Sequence, residues 1–120
     1  MKIISVDDSA TISNHIKTVL NNIDGVSYLG HAFEVSEAVQ LIESQLPDVV
    51  LLDIILKEES GIDLLVSIKN NYPSIEVIIL SNHSEQFYKS KCKELGASFF
   101  LDKSYEFDKL PEILANLKKS

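Results

Sequence analysis

Asp48-Val49-Val50-Leu51-Leu52-Asp53 is a nearly continuous apolar run closed by an acid. A β-branched-rich run without polar alternation suits a strand covered on both faces, as in a parallel sheet. Two other stretches share the pattern: Ile3-Ile4-Ser5-Val6, followed by Asp7-Asp8, and Val77-Ile78-Ile79-Leu80, followed by Ser81. Weaker apolar stretches at residues 26–32 and 97–101 bring the set to five. Helical spacing fills the gaps. Ile12, Ile16, Val19, Leu20 and Ile23 recur at threes and fours, as do Val35, Ala38, Val39, Ile42 and Leu46. Ile62, Leu65, Val66 and Ile68 follow, then Phe87, Lys91, Cys92 and Leu95. Pro111 suits a first helical turn, so the last helix is expected to start near Asp108, with residues 105–107 as a turn. Gly25, Pro47, Pro73 and Gly96 each separate a helical run from the strand after it. The expectation is an α/β fold, (βα)5, with right-handed crossovers and a doubly wound parallel five-stranded sheet in the flavodoxin-like order 2-1-3-4-5.

The whole chain accommodates one such domain. It has 120 residues, and Lys+Arg 11 against Asp+Glu 18 gives a formal charge of 11 − 18 = −7. Every basic residue is Lys, and without a basic face or Arg the expectation is no nucleic-acid binding by this chain alone. With 45% hydrophobic and 24% charged residues, the composition argues for a folded globule over a disordered chain. The single Cys92 excludes an intrachain disulfide and a Cys-rich zinc site, and reads as a small buried hydrophobe. No apolar run approaches the roughly 18 residues of a membrane span. A cytoplasmic domain over residues 1–120, with no membrane association and no output domain, is expected.

Function in an open α/β sheet is sought outside the carboxyl ends of the strands, where the strand order reverses. Strand 1 ends in Asp7-Asp8, strand 3 in Asp53, strand 4 in Ser81-Asn82 and strand 5 in Asp102-Lys103; strand 2 ends in His31-Ala32, off the switch point. Any one of these acids could simply start a loop, and Asp8 or Ser9 could cap helix 1. Asp7, Asp8 and Asp53 together are another matter. Like charges about 4 Å apart repel by ~4 kcal/mol at an effective dielectric near 20. Hard oxygen donors without His or Cys beside them favour Mg²⁺.

Taken in order and spacing, these fragments resemble the receiver domain of bacterial two-component response regulators. The residues carrying the likeness are Val6-Asp7-Asp8-Ser9, Pro47-Asp48-Val49-Val50-Leu51-Leu52-Asp53, Ser60-Gly61, Val77-Ile78-Ile79-Leu80-Ser81, and Gly96-Ala97 through Phe100 to Lys103. The resemblance implies that Asp53 is the phosphoacceptor of a phosphorelay, receiving its group from a histidine kinase or histidine phosphotransfer protein. It implies Mg²⁺ ligation by Asp7, Asp8, Asp53 and the backbone carbonyl of Ile55. Lys103 would pair with a phosphoryl oxygen, while Ser81 and Phe100 would be the switch hydroxyl and switch aromatic. The protein would be no turnover enzyme, catalysing only its own phosphorylation and hydrolysis. It would signal through helix 4, strand 5 and helix 5, as a monomer or a phosphorylation-dependent dimer, to a downstream protein or a removed output domain. Phe87, Tyr88, Lys89, Lys91, Tyr105 and Phe107 are the candidates for that face, although most of them are expected simply to pack on the sheet.

Other readings are weaker. A flavodoxin-type carrier would need donors after strand 1, where Asp7-Asp8 would repel a flavin phosphate. An Mg²⁺-dependent phosphatase with an aspartyl nucleophile would need an acid just after Asp53, where Ile54-Ile55 stand. A receiver-like interaction module that is never phosphorylated would not need the intact site.

The chain also departs from the family's usual pattern. Ser104 follows Lys103 where Pro is usual, and a trans peptide is expected, since a cis bond before Ser costs ~3–4 kcal/mol. Lys57 replaces a usual Pro, so residues 54–60 are expected to be mobile. Asn82 replaces a small residue beside Ser81 and narrows access to the site. Ile55 and His83 flank the phosphoryl position, and Ile55 is expected to exclude water and lengthen the phosphorylated lifetime.

Overall fold

The computed structural model describes residues 1–56 and 59–118. The five expected strands form one parallel sheet: β1 (Lys2–Val6), β2 (Ser27–Ala32), β3 (Val49–Leu52), β4 (Glu76–Ser81) and β5 (Phe99–Asp102). Their spatial order is β2-β1-β3-β4-β5, as the sequence predicts. The helices are α1 (Ala10–Asn21), α2 (Val35–Gln45), α3 (Gly61–Asn71), α4 (Gln86–Glu94) and α5 (Leu110–Lys118). Among the described residues, no helix is long and apolar enough to cross a membrane.

The unbroken apolar runs of β1, β3 and β4 follow from helices on both sheet faces. Successive side chains point to opposite faces, so alternate residues of one strand enter different cores. Ile4, Val6, Val50, Leu52, Val77 and Ile79 pack with Ala38, Ile42, Leu65, Ile68 and Cys92 from α2, α3 and α4. Ile3, Val49, Leu51, Ile78 and Leu80 pack with Ile16 and Leu20 of α1 and Leu110 and Leu114 of α5. Each such side chain, fully buried, contributes about 1.5–3 kcal/mol. Burial also raises the Cys92 thiol pKa, which suits an inert core residue.

Local chemistry sets the helix starts. The Ser9 hydroxyl accepts from the N–H of Ile12 and caps α1, while Ser60 accepts from Asp63 and caps α3. The last helix differs slightly from expectation. A 3₁₀ turn over Phe107–Lys109 precedes α5, and Pro111 lies in that helix's first turn.

One expectation is corrected here. Phe107 is not on an exposed face: it is buried in the α1/α5 core and stacks on His15, with ring centroids 4.1 Å apart. The 3₁₀ turn carries this ring into the core. The segment expected to be mobile is described on either side of residues 57–58. Ile55–Leu56 pairs antiparallel with Glu59–Ser60, and Ile54 and Leu56 are buried. Lys57 itself lies outside the described residues.

Candidate functional site

The strand ladder runs one residue past the ends of three strands, and each extra rung holds a candidate residue. The N–H of Asp53 donates to the Val6 carbonyl (3.0 Å), that of Asp7 to Ala32 (3.0 Å) and that of Lys103 to Ser81 (3.0 Å). These residues are therefore aimed by backbone hydrogen bonds rather than by free loops. Gly61 completes the frame: its N–H donates to the Ile54 carbonyl at 2.8 Å, bringing the start of α3 against the chain just after β3.

The three acids converge. Asp7 and Asp53 are 3% and 7% exposed, Asp8 lies at the rim, and one carboxylate oxygen from each falls within 4.8 Å of the others. Lys103 bridges two of them, its Nζ standing 2.6 Å from Asp7 Oδ2 and 2.7 Å from Asp53 Oδ2. The remaining oxygens are also engaged: Asp7 Oδ1 accepts from the Ser9 N–H (2.8 Å) and Asp53 Oδ1 from the Ile55 N–H (3.2 Å). Three carboxylates and one ammonium leave a formal −3 + 1 = −2 at the cluster when all are ionised. An all-oxygen, net-negative donor set of this kind matches a hard divalent cation.

Electrostatics agree with the geometry. Burial pushes the Asp7 carboxyl above its usual range, and the hydrogen bonds from Lys103 and Ser9 only partly counter it. Burial acts against the Lys103 ammonium too, but its bonds to Asp53 and Asp7 prevail and raise it above an ordinary lysine. Lys103 is thus firmly charged.

The switch candidates lie on neighbouring strands. Ser81 is fully buried, and its Oγ accepts from the His83 N–H (3.1 Å), so the hydroxyl is engaged within its own loop. Phe100 is half-buried beside the core under α4, paired in register with Ile79, while Ser81 pairs with Asp102. The Lys103–Ser104 peptide is trans, as expected. Phe87 and Tyr105 are 70% and 86% exposed, and Lys91 is exposed one turn after Phe87 on α4, whereas Tyr88 and Lys89 are half-buried.

Sequence reasoning missed two arrangements. His31, read as off the switch point, reaches it from β2: its Nε2 lies 2.8 Å from the Asp7 carbonyl. That oxygen can only accept, so Nε2 carries the proton and Nδ1 accepts from the Ser5 hydroxyl at 2.5 Å. Tyr28 in turn bonds Ser5 at 2.5 Å, and burial lowers the His31 pKa toward the neutral ring this network needs. The second arrangement is the turn around Lys103. Asp102 Oδ1 accepts from the N–H groups of Ser104 (2.8 Å) and Tyr105 (3.0 Å), while Glu106 Oε1 accepts from the Asp102 N–H (2.9 Å).

A parallel five-stranded sheet holds an acid triad and a bridging lysine at its switch point, and the family model described as "Response regulator receiver domain" matches residues 3–115. The chain belongs to the response regulator receiver family. The sensory transduction protein LytR of Staphylococcus haemolyticus is 30% identical over 118 residues, covering 98% of this chain and 45% of its own length. The transcriptional regulatory protein DegU of Brevibacillus brevis is 28% identical over 112 residues, or 93% of this chain and 48% of DegU. The chain spans under half the length of these two relatives. Among solved structures, the Francisella response regulator 1452 receiver domain superposes with a TM-score of 0.87 at 29% identity, covering 98% of this chain and 96% of that one. The isolated receiver domain of RcsB from Salmonella enterica, solved with the phosphomimetic BeF₃⁻, gives 0.92 at 24%, covering 100% and 89%. This is a receiver domain of the two-component response regulators.

In this receiver the Lys103 turn should loosen in acid. Hydrogen bonds, led by those from Ser84 to Asp102 and from the Asp102 N–H to Glu106, lower both carboxyl pKa values from 3.8 and 4.5. A depressed folded pKa gives stability that is present above the unfolded value and lost as pH falls through the folded one. Amide exchange at Ser104 and Tyr105 should therefore stay protected at pH 6, and protection should fall selectively below about pH 4. Unchanged relative protection at low pH would count against it.

Proposed function

We propose that this receiver takes a phosphoryl group onto Asp53 from a phosphohistidine of a histidine kinase or histidine phosphotransfer protein. The observation that carries the reading is Lys103 bridging Asp7 and Asp53 inside a cluster of three carboxylates. Its setting is the cytoplasm, where such donors work. Asp7, Asp8, Asp53 and the Ile55 carbonyl are the groups that would hold Mg²⁺, which when bound would offset the charge of the incoming phosphoryl group.

The rest belongs to the chain itself. An Asp53 carboxylate oxygen forms the new bond to phosphorus as the nitrogen–phosphorus bond of the donor breaks, giving an acyl phosphate and a histidine that takes up a proton. Lys103 exchanges its Asp53 contact for a phosphoryl oxygen. Ser81 can donate its hydroxyl proton to another, which draws the β4–α4 loop toward Asp53. Space then opens for Phe100 to turn inward, and the face built from α4, β5 and α5 changes shape. Phe87 and Tyr105 stand exposed on that face for a protein partner.

Incubation with Mg²⁺ and acetyl phosphate tests the reading by intact mass. One phosphoryl adduct is expected, absent without Mg²⁺ and absent in Asp53→Asn. An adduct retained in that variant would place the chemistry on another side chain. In the same assay Ile55→Asn should shorten the adduct's lifetime, since Ile55 follows Asp53 by two residues and is 40% exposed at the rim. An unchanged lifetime would remove its shielding role.

A further inference from the structure

Lys103 and Ser81 are to meet one phosphoryl group from different loops, and those loops are stitched together. Ser84 Oγ donates to Asp102 Oδ2 at 2.7 Å, and Ser104 Oγ donates to Asn82 Oδ1 at 2.8 Å. Between these bonds the Lys103 N–H donates to the Ser81 carbonyl at 3.0 Å. Both sequence neighbours of Lys103 are thus bonded across to the β4–α4 loop, and Asn82, directly after Ser81, is bonded back. Asp102 also holds the Ser104 and Tyr105 N–H groups, so one carboxylate joins the turn that aims Lys103 to the loop that carries Ser81. Asn82 and Ser104, two separate departures from the family's pattern, are partners here.

We infer that Asn82, Ser84, Asp102 and Ser104 form a hydrogen-bonded clasp that holds the two loops in their unmodified arrangement. These are positioning residues: their described bonds join the turn to the loop, whereas Lys103 makes the bonds to Asp7 and Asp53. Ser81 is held with its hydroxyl facing the His83 N–H, and a shift of its loop toward Asp53 works against the Asn82–Ser104 and Ser84–Asp102 bonds. Opening the clasp therefore favours the modified state. The inference rests on Asp53 being the phosphoacceptor only for that last step.

The test uses Ser84→Ala, Ser104→Ala, their double variant, and Ser104→Thr, which keeps the hydroxyl. In the unmodified protein, Ser104→Ala should speed amide exchange at His83, on the opposite loop, by about two- to tenfold, the scale of one net hydrogen bond. Ser104→Thr should restore the wild-type rate. With Mg²⁺ and beryllofluoride, each alanine variant should bind about two- to tenfold more tightly, and the double variant by less than the product of the two. Unchanged exchange at His83 in both alanine variants would overturn the clasp, and weaker beryllofluoride binding would overturn its restraining role. If the wild type takes no beryllofluoride, the Asp53 reading falls, while the exchange measurement still decides the clasp.

Discussion

Lys103→Met is expected to slow acetyl phosphate modification of Asp53 by about 10²–10³-fold, the usual effect of removing one preorganised stabilising group. The ammonium sits within 2.7 Å of both Asp7 and Asp53, so it is already in place when a phosphoryl oxygen arrives. Methionine keeps an apolar stem of similar length and removes the charge together with the N–H donors. Without it, two buried carboxylates face each other with nothing positive between them. The metal-free variant should lose about 3 kcal/mol of stability, the lower end for breaking a buried pair, and denaturant midpoints should show a smaller loss in excess magnesium. Modification within about threefold of wild type would mean that Lys103 is a structural bridge and no part of the transfer.

Gly61→Ala carries the largest expected cost to the fold. A Cβ there would stand 2.0 Å from the Asp53 carbonyl oxygen and 2.6 Å from Ile54 Cα, both backbone atoms. Neither side yields easily. Asp53 is pinned to β1 through Val6, and Gly61 is pinned to Ile54. Either α3 moves away from its packing under Leu64, Leu65 and Ile68, or Asp53 is displaced. A loss of about 3 kcal/mol or more is expected, the upper range for overpacking, with a melting temperature lower by roughly 10 °C. Ser60→Ala separates this clash from the cap: losing the bond to Asp63 should cost only ~1 kcal/mol. Near-wild-type stability of Gly61→Ala would show that α3 and the chain at Asp53–Ile54 part without penalty.

The sheet was legible because both of its faces are covered. That burial removes polar alternation from β1, β3 and β4, leaving runs visible without any structure, and the acids that close two of them mark the switch point. Asp7, Asp8, Asp53 and Lys103 could be placed together from strand order alone. What stayed hidden depends on register and on side-chain reach. His31 touches the Asp7 carbonyl because β1 and β2 pair with Val6 opposite Ala32, and no periodicity reports that register. Phe107 faces the core because its ring meets partners distant in the chain, Ile16 in the same core cluster and His15 stacked on it, some ninety residues earlier. Asn82 and Ser104 were each noticed, but a hydrogen bond between two exposed polar residues leaves no pattern in either segment.

The extra rungs that anchor Asp7, Asp53 and Lys103 are made by main-chain atoms, which are the same in every amino acid. Reactive positions secured in this manner stay put while the surrounding residues drift. A scaffold of that sort can be rewritten over most of its length, new surfaces and partners included, and still deliver its reagents to the same coordinates. Superposition of this chain on the Francisella receiver at 29% identity is the outcome such an architecture permits.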